Sequence, residues 1–421
     1  MSPPSPPAAG PRLRWAIAVL LLLSTAINYL DRQALSILAT TIQRELQIDD
    51  VGYAKITTYF LLSYTIMYAV SGRLVDFLGT RLSLVLAVSG WSVAGMLHGL
   101  AGSVAQLSAC RFLLGGFESA NYPAGARAVA EWFPLRERAL GMAFLGAGGA
   151  VGAMIAFPLV SHLALSHGWR AAFVVVGAVG FLWVVAWLVV CRPAASAPGG
   201  APGSPPAEKP FPLRALLANR RAWGCILVRV CTDPIIYFIS FWVPKYLAEN
   251  HGYTLADIGK YAWLPFAGLS AGQLLGGAFT SWCVGRGADL DRVRKGLMLG
   301  ASLLVLSAGL FVATTPGPAL ALAGVAALAL GHGLWGNLAV PAEVFPAHSV
   351  AFVTGLGGTL GGVAGMISQF GIAWAAGHGG YAYIFVAFSL GPLLAYLAVR
   401  TLVGRLGEIS AHLPERSGGH A

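Results

Sequence analysis

Residues 72–81 read GRLVDFLGTR and join two apolar runs, at 53–73 and 81–100. A weaker copy, GAFTSWCVG, ends a later apolar run at 277–285. Glycines in such a segment allow tight packing and a sharp turn between helices. A turn motif that recurs about 205 residues later indicates that the chain contains a duplicated helical unit.

Two further features recur at a similar spacing. Glu-Trp-Phe-Pro begins at Glu131 and Glu-Val-Phe-Pro begins at Glu343, while Asp31 is matched by Asp233. Three matching offsets of about 200 to 212 residues predict two halves in the same orientation. Parallel repeats of this kind place a substrate site at the midplane between them.

The composition identifies lipid as the main solvent of this chain. Of its 421 residues, 57% are hydrophobic and 10% are charged, and the mean hydropathy is +0.70. A soluble protein of this length carries about 25% charged residues, so this chain cannot cover a water-facing surface. The net charge of +10 does not indicate a nucleic-acid partner, because the basic residues fall in short clusters between apolar runs.

The cysteines predict neither a metal site nor a disulfide framework. They lie in or at the ends of apolar runs, and no pair has the spacing of metal ligands. We expect five buried thiols, at Cys110, Cys191, Cys225, Cys231 and Cys283.

Twelve apolar runs are long enough to cross about 30 Å of hydrocarbon as helices. They are 15–38, 53–73, 81–100, 104–127, 138–160, 170–191, 222–246, 256–282, 295–314, 318–340, 350–374 and 381–403. The sequence therefore predicts an all-α membrane protein with twelve transmembrane helices in two six-helix pseudo-symmetric halves. Its predicted parts are a disordered cytoplasmic N-terminus (1–14), an N-terminal bundle (15–191), a Pro/Gly-rich cytoplasmic linker (192–221), a C-terminal bundle (222–403) and a cytoplasmic tail (404–421).

The Lys and Arg distribution predicts the orientation. Cytoplasmic loops of membrane proteins carry an excess of Lys and Arg. With both termini in the cytoplasm, the predicted inside holds Arg12, Arg14, Arg73, Arg81, Arg136, Arg138, the 192–221 cluster, Arg286, Arg292, Arg294, Lys295 and Arg405. The opposite loops hold only Arg44, Lys55, Arg170, Lys245 and Lys260. We expect a monomeric multi-pass protein of the bacterial cytoplasmic (inner) membrane.

The longer motifs resemble a known family. GRLVDFLGTR, the twelve helices and the central linker resemble the major facilitator superfamily. INYLDRQALS, RFLLGGFESANYPAGARAVAEWFPLRERA and GAMIAFPLV resemble its anion:cation symporter family, which includes sialin and bacterial sugar-acid carriers. RVCTDPIIYFISFWVPKYL, KYAWLPF and GHGLWGN are most similar to the hexuronate transporter branch. The resemblance covers the chain from Trp15 to the last apolar run.

Charged side chains inside the apolar runs are the strongest functional signal, because a charge near the bilayer centre costs a few kcal/mol or more. Asp31 and Arg32 are adjacent and point about 100° apart on one helix. Arg111 and Glu118 are two helical turns apart, so both point to one face. One member of the first pair can therefore face the second helix while the other faces the central cavity.

The resemblance implies a role for each of these four groups. A planar guanidinium binds a carboxylate through two parallel hydrogen bonds, so Arg32 is the candidate ligand of a substrate carboxylate. A buried carboxyl group can exchange a proton near neutral pH, so Glu118 and Asp31 are the candidate proton-coupling groups. Arg111 would pair with Asp31 and release it when helices move. The alternative is a salt-bridge network that only fixes helix packing.

Other charged residues in the apolar runs can be explained without a role in transport. Arg229 and Asp233, at i and i+4, are close enough to form an ion pair, which either contacts substrate or only stabilises the helix. Arg127 lies near a predicted cytoplasmic helix end, where snorkelling to the interface explains it.

A sugar acid also needs polar partners for its hydroxyl groups. Trp335 could stack on a sugar ring and Asn337 could both donate and accept, although interfacial anchoring or bonds inside the bundle are the alternatives. Related carriers have polar residues before GAMIA, where this chain has Gly146, Gly148 and Gly149. The candidate substrate-binding residues are Tyr29, Arg32, Tyr64, Glu118, Gln273, His332, Trp335 and Asn337.

The turn at 72–81 is interpreted as a cytoplasmic gate. Asp76 would pair with Arg136 or Arg138, or with a helix N-terminus. The resemblance implies that this contact holds the cytoplasmic side closed in the outward-open state. The gate candidates are Gly72, Asp76, Gly79, Arg81 and Arg136.

The sequence favours a secondary transporter over other classes. The leading hypothesis is proton-coupled uptake of a carboxylated sugar such as glucuronate or galacturonate by alternating access, with the proton as coupling ion and no cofactor. The alternatives are another organic anion (an aldonate, aldarate, aromatic acid or dicarboxylate) and a non-transporting sensor with the same fold. An enzyme is not expected, because the chain has no P-loop, no Gly-x-Ser-x-Gly and no His-Glu-x-x-His motif, and neither catalytic nor metal-binding residues are predicted.

Overall fold

The computed structural model describes residues 11–134, 137–191, 218–345, 347–378 and 380–407, and these residues form helices joined by short turns. The first half contains α1 (Pro11–Ile37), α2 (Ala39–Leu46), α3 (Asp50–Leu97), α4 (Val104–Glu118), α5 (Asn121–Trp132), α6 (Arg138–His167) and α7 (Trp169–Val190). The second half contains α8 (Arg220–Phe241), α9 (Val243–His251), α10 (Leu255–Tyr261), α11 (Leu264–Gly285), α12 (Leu290–Ala313), α13 (Pro318–Trp335), α14 (Val340–Val344), α15 (Ala347–His378) and α16 (Ala382–Ala398).

The predicted apolar runs fall on these helices. Within the described ranges, nine helical stretches are long and apolar enough to span a membrane. The predicted run 104–127 is not among them, because it is divided between α4 and α5. The run 53–73 and most of the run 81–100 lie in α3, whose helical conformation is interrupted at Gly79 (φ 75°, ψ 159°). A positive φ is accessible to glycine at little cost, so the predicted turn lies at Gly79.

Helix starts follow ordinary capping chemistry. The side chain of Asp49 accepts a hydrogen bond from the Gly52 N–H at the start of α3, and Ser103 does the same for Gln106 at the start of α4. Asn219 accepts from the Arg221 N–H at the start of α8. Each cap satisfies a backbone donor that the first helical turn leaves unpaired.

The chain divides into two compact units. Unit 1 contains 1–203 and 244–263, and unit 2 contains 204–243 and 264–421. The segment 244–263 therefore packs with the first half, and it contains most of α9 and all of α10. In the sequence-based division, the same segment lies within the predicted C-terminal bundle, 222–403. Of the predicted linker, 192–217 lies outside the described residues.

The two units repeat the same helix pairings. In unit 1, α1 packs on α6, the first part of α3 on α4, and the second part of α3 on α7. In unit 2, α8 packs on α15, α11 on α13, and α12 on α16. These are equivalent pairs in chain order, which is the arrangement that the repeated sequence motifs predict.

Small residues allow these pairs to approach closely. A Cβ added at Gly152 of α6 would lie 2.1 Å from the Ala26 carbonyl oxygen of α1. A Cβ at Gly272 of α11 would lie 2.2 Å from the Leu330 carbonyl oxygen of α13. Membrane helices associate through such contacts because lipid offers no hydrophobic driving force between them.

The beginning of the predicted C-terminal tail is attached to unit 2. Arg405 pairs with Asp289 at 3.1 Å, and the Leu406 N–H donates to an Asp291 carboxylate oxygen at 2.8 Å. Residues 408–421 lie outside the described part of the chain, as do residues 1–10.

Candidate functional site

The centre of the site in unit 1 is an ion pair between α1 and α4. Arg32 Nε and Nη2 donate to one oxygen of Glu118, Oε2, at 3.0 and 2.9 Å. The Glu118 side chain is fully buried and that of Arg32 is 14% exposed. Asn28, one turn before Arg32 on α1, accepts a weaker bond from Nη2 at 3.3 Å. Glu118 Oε1 has no hydrogen-bond partner within the described ranges.

Aromatic rings surround the Arg32 guanidinium. Its Cζ lies 4.6 Å from the ring centroid of Tyr29, 4.9 Å from that of Tyr64 and 5.1 Å from that of Phe60. All three distances are within the range of cation–π attraction. Tyr29 and Arg32 share a face of α1, while Phe60 and Tyr64 are one turn apart on α3. The cage fixes the plane of the guanidinium and leaves part of it accessible.

A second pair of charges is buried next to the first. Arg111 is 1% exposed and Asp31 is 3% exposed. Arg111 Nη1 donates to the Arg32 carbonyl oxygen at 3.2 Å, whereas its Nε and Nη2 and the Oδ2 of Asp31 have no partner in the part of the chain that is described. Asp31 faces Gly95 of α3, where an added Cβ would lie 3.0 Å from Oδ1.

The sequence-based pairing therefore differs from the observed one. Arg32, expected to face an open cavity, is bound by Glu118, and Asp31 forms no ion pair with Arg111 within 4 Å among the described residues. The 100° separation on α1 directs Arg32 towards α4 and Asp31 towards α3. Sequence reasoning missed Asn28 and Phe60, although the i,i+4 spacings to Arg32 and Tyr64 could have identified both.

Unit 2 contains a smaller polar cluster. Arg229 Nε donates to both oxygens of Asp233, at 2.9 and 2.8 Å, as their i,i+4 spacing predicts. Asn337 donates to Thr232 Oγ1 at 2.8 Å and lies 3.4 Å from Asp233 Oδ1. His332 is 6% exposed, and its Nδ1 has no partner within the described ranges.

One polar-lining prediction for unit 2 does not match its position. Trp335 was expected to stack on a sugar ring, but its side chain lies in the core with no exposed surface, and its indole N–H donates to Ser302 Oγ and the Pro392 carbonyl. It therefore joins α13 to α12 and α16. Gln273 is exposed on α11, and its place in the polar lining stays a prediction.

The predicted gate has a different partner. Asp76 pairs with Arg127 at 2.9 Å, and Arg127 also binds Glu131 at 2.7 Å. These contacts correct the predicted pairing of Asp76 with Arg138. The interpretation of Arg127 as a residue that snorkels to the interface stays a prediction. Arg138 instead donates to the carbonyls of residues 133 and 130 at the end of α5, because free carbonyls there attract a cation.

The other gate candidates lie around the same turn. Gly72 and Gly79 are part of α3, and Gly79 breaks its helical conformation. Arg81 donates to the carbonyls of Cys191 and Leu188 at the end of α7, at 2.6 and 3.5 Å. Arg136 lies outside the described residues.

Gly146, Gly148 and Gly149 of α6 lie in different surroundings. Gly148 abuts α1, where an added Cβ would lie 2.2 Å from the Leu22 carbonyl oxygen. An added Cβ at Gly149 would lie 3.0 Å from the Tyr29 ring, whereas one at Gly146 would meet nothing within 4 Å. The chain therefore uses one of these positions for helix contact and one to make room for an aromatic ring of the site.

Comparison with known proteins finds one family that matches most of the chain. The family described as Major Facilitator Superfamily matches residues 21–369. The chain is 30% identical to the hexuronate transporter of Escherichia coli (strain K12) over 412 residues, covering 93% of this chain and 94% of that protein. It is 30% identical to the galacturonate transporter of Dickeya chrysanthemi over 282 residues, covering 63% and 81%. It is also 30% identical to the probable galactarate/D-glucarate transporter GudP of Bacillus subtilis (strain 168) over 436 residues, covering 94% and 93%.

Solved structures share the fold at low sequence identity. An inward-facing bacterial homologue of the human lysosomal transporter Spinster superposes with a TM-score of 0.75 at 19% identity, covering 94% of this chain and 99% of that one. A D-xylose–proton symporter superposes with a TM-score of 0.73 at 14% identity, covering 92% and 98%.

Proposed function

The chain belongs to the major facilitator superfamily, and from that premise we propose that it takes up a carboxylated sugar, such as glucuronate or galacturonate, together with protons. It is a multi-pass transport protein rather than an enzyme, because its family and its named relatives are transporters. The proposal places it as a monomer in a bacterial cytoplasmic membrane, with both termini inside, and requires no cofactor besides the proton.

The observation that carries the proposal is the partly exposed Arg32 held by a buried carboxylate. Arg32 is the accessible cation of the unit 1 site, and a guanidinium is well suited to a planar carboxylate. Its present ligand, Glu118, occupies the position that a substrate carboxylate would need. The substrate and Glu118 therefore compete for the same donors.

Charge balance gives this competition a coupling mechanism. Asp31, Arg32, Arg111 and Glu118 sum to zero when all four are ionised. A substrate carboxylate would add a negative charge to a poorly hydrated region, which is costly unless it is compensated. A proton on Glu118 restores neutrality and weakens its hold on Arg32, so proton and anion favour the same bound state.

Asp31 and Arg111 are proposed as the second part of the coupling. Both are buried deeper than Arg32 and both have unpartnered polar atoms within the described ranges. A small shift of α1 against α4 would bring them together or move them apart, and would change the proton affinity of Asp31. Arg111 also binds the backbone of Arg32, which links the two steps.

Within unit 1, the number of accessible cations favours a monocarboxylate over a diacid. Arg111 is too deeply buried to meet a second carboxylate. The similarity to a probable galactarate/D-glucarate transporter makes a sugar diacid the second candidate, and a direct comparison of substrates separates the two.

The test is uptake by purified protein in liposomes. Labelled glucuronate, galacturonate and galactarate are compared with an inward proton gradient, with a sodium gradient and with none. We expect proton-stimulated uptake of a uronate that Arg32→Ala abolishes. Glu45→Gln is the matched control, because Glu45 forms its ion pair with Arg170 outside the site. Uptake of galactarate alone would overturn the monocarboxylate assignment, and sodium-driven uptake would overturn proton coupling.

A further inference from the structure

His98 is a buried histidine of unit 1 that no step of the proposed mechanism uses. It lies in the short turn that follows α3, and its side chain has no exposed surface. The ring stacks on that of Phe173 of α7, with 5.0 Å between the centroids. Buried polar atoms in folded proteins almost always have hydrogen-bond partners, so both ring nitrogens need one.

One ring nitrogen of His98 has a partner. Its Nδ1 lies 2.8 Å from the Ala94 carbonyl oxygen. A carbonyl oxygen can only accept a hydrogen bond, so Nδ1 carries the hydrogen, and Nε2 of the neutral ring is an acceptor. Nε2 has no partner among the residues that the structure describes. The ring therefore presents one buried acceptor to its surroundings.

The surroundings of His98 include the Asp31 and Arg111 side chains. Gly95 precedes His98 by three residues, so the two lie on one face, and a Cβ added at Gly95 would lie 3.0 Å from Asp31 Oδ1. Arg111 is close enough to interact electrostatically with both Asp31 and His98. Residues from α1, α4 and the end of α3 thus bring three polar side chains into one buried region.

The polar atoms of these side chains are complementary. Asp31 Oδ2 and His98 Nε2 are acceptors, Arg111 Nε and Nη2 are donors, and none of the four has a partner within the described ranges. The side chains are therefore too far apart to satisfy one another directly. One water molecule can donate a hydrogen to each acceptor and accept one from Arg111. Buried waters make about three such bonds to otherwise unsatisfied groups.

We propose that Asp31, Arg111 and His98 hold a buried water molecule, and that His98 is a positioning residue that keeps Arg111 apart from Asp31. The inference rests on the proposed function, because it concerns the groups assigned there to proton coupling. While the water is held, the guanidinium has an acceptor other than the Asp31 carboxylate. Asp31 therefore stays free to take up a proton, and His98 acts on it without contact with the substrate.

Other charged and titratable groups near this region have partners of their own. Besides Asp31, the groups that interact electrostatically with Arg111 are Tyr53 of α3, Cys110 and Glu118 of α4, and Arg32 of α1. Glu118 is bound by Arg32. The Arg170 carbonyl of α7 lies beside the turn, but the Arg170 side chain is paired with Glu45. Asp31 is therefore the carboxyl whose proton uptake depends on the proposed water.

Infrared difference spectroscopy of the purified protein detects the water directly. Spectra at low and high pH are compared in ordinary water and in water enriched in the heavy oxygen isotope. We expect an isotope-sensitive O–H band that persists in His98→Gln, whose side-chain oxygen replaces the acceptor, and is lost in His98→Phe, which retains only the stacked ring. Absence of this band from the unmodified protein, or its persistence in His98→Phe, would overturn the bound water.

The same spectra follow the proton uptake of Asp31. Its protonated carboxyl band is assigned by its loss in Asp31→Asn. We expect His98→Phe to lower the midpoint pH by about one unit, because Arg111 then closes on the ionised carboxylate and stabilises it. His98→Gln should keep a midpoint close to the original. An unchanged or higher midpoint in His98→Phe would contradict the positioning role, and so would the absence of any band that Asp31→Asn removes.

Two further variants guard this titration against general effects. His162 is exposed on α6, so His162→Phe makes the same substitution outside the region and should leave both the water band and the midpoint unchanged. Equal shifts in His162→Phe and His98→Phe would overturn the assignment. His98→Leu also lacks an acceptor, and it replaces His98→Phe if that variant does not fold.

Uptake in liposomes links the water to transport. The pH dependence of gradient-driven uptake should shift to lower pH in His98→Phe, while KM for the sugar acid at saturating proton concentration stays unchanged. A raised KM with an unchanged pH profile would overturn the positioning role. Failure of the proposed function would appear separately, as absence of sugar-acid uptake by the unmodified protein, because the spectroscopic tests need no substrate.

Discussion

Arg32 donates from two nitrogens to one oxygen of Glu118, and the other oxygen of that carboxylate has no partner among the described residues. A carboxylate that binds a guanidinium through both oxygens would hold it more firmly. The single-oxygen arrangement leaves a free acceptor on Glu118 for a proton, and it holds Arg32 loosely enough for a substrate carboxylate to compete for the same donors.

Glu118→Gln is expected to uncouple transport from the proton gradient. Glutamine keeps the size of the side chain but cannot exchange a proton, and it holds Arg32 without a full negative charge. Counterflow exchange of a labelled sugar acid should persist, whereas gradient-driven accumulation should be lost. Loss of both activities in folded protein would identify Glu118 as chiefly a structural ligand of Arg32.

Arg32→Lys is expected to weaken substrate binding although it preserves the charge. Lysine lacks the planar fork and the ring stacking that Tyr29, Tyr64 and Phe60 provide. The loss of one or two charge-assisted hydrogen bonds, about 1.5–3 kcal/mol, corresponds to a rise of roughly 10- to 100-fold in apparent KM. Arg170→Lys, on an exposed ion pair, is the control and should leave KM unchanged. An unaltered KM in Arg32→Lys would remove Arg32 from the carboxylate site.

Gly152→Val is expected to destabilise the packing of α1 on α6. A Cβ there would meet the backbone of Ala26, whereas a Cβ at Gly146 would meet nothing within 4 Å. Overpacking of this kind costs about 1–3 kcal/mol or more. The thermal unfolding temperature in detergent should fall clearly for Gly152→Val and little for Gly146→Val. Equal falls in the two variants would contradict the observed helix contact.

Trp335→Ala is expected to reduce stability rather than substrate affinity. The indole fills the core of unit 2 and donates to Ser302 and Pro392. Loss of a buried tryptophan costs about 3–5 kcal/mol, so the unfolding temperature should fall. Trp374→Ala, at a position 63% exposed, provides the comparison. A raised KM with unchanged stability would support the sugar-stacking role that the sequence suggested.

Much of the fold could be predicted because it depends on local properties. Apolar runs of about 20 residues must form helices in lipid, where every backbone polar group needs an internal partner. The recurrence of the Gly72 and Glu131 motifs predicted paired halves, and the same helix pairings occur in both units. Comparison with known proteins shows the predicted superfamily.

The candidate site was predictable as a set of residues but not as a set of contacts. Charges within membrane helices are rare enough to stand out, and this identified Asp31, Arg32, Arg111 and Glu118. Their pairing depends on helix rotation and spacing to within a few ångströms, which periodicity does not provide. For the same reason Arg127 replaced Arg138 as the partner of Asp76.

The sequence by itself determined that this chain is a duplicated bundle of membrane helices with a few buried charges, because hydropathy, repeats and charge rarity are properties of the residues themselves. Only the tertiary structure decided that Glu118 holds Arg32, that Trp335 is buried in a core and that residues 244–263 pack in unit 1. These contacts depend on which helix faces meet. A contact between residues distant along the chain is set by the packing of whole helices rather than by local composition.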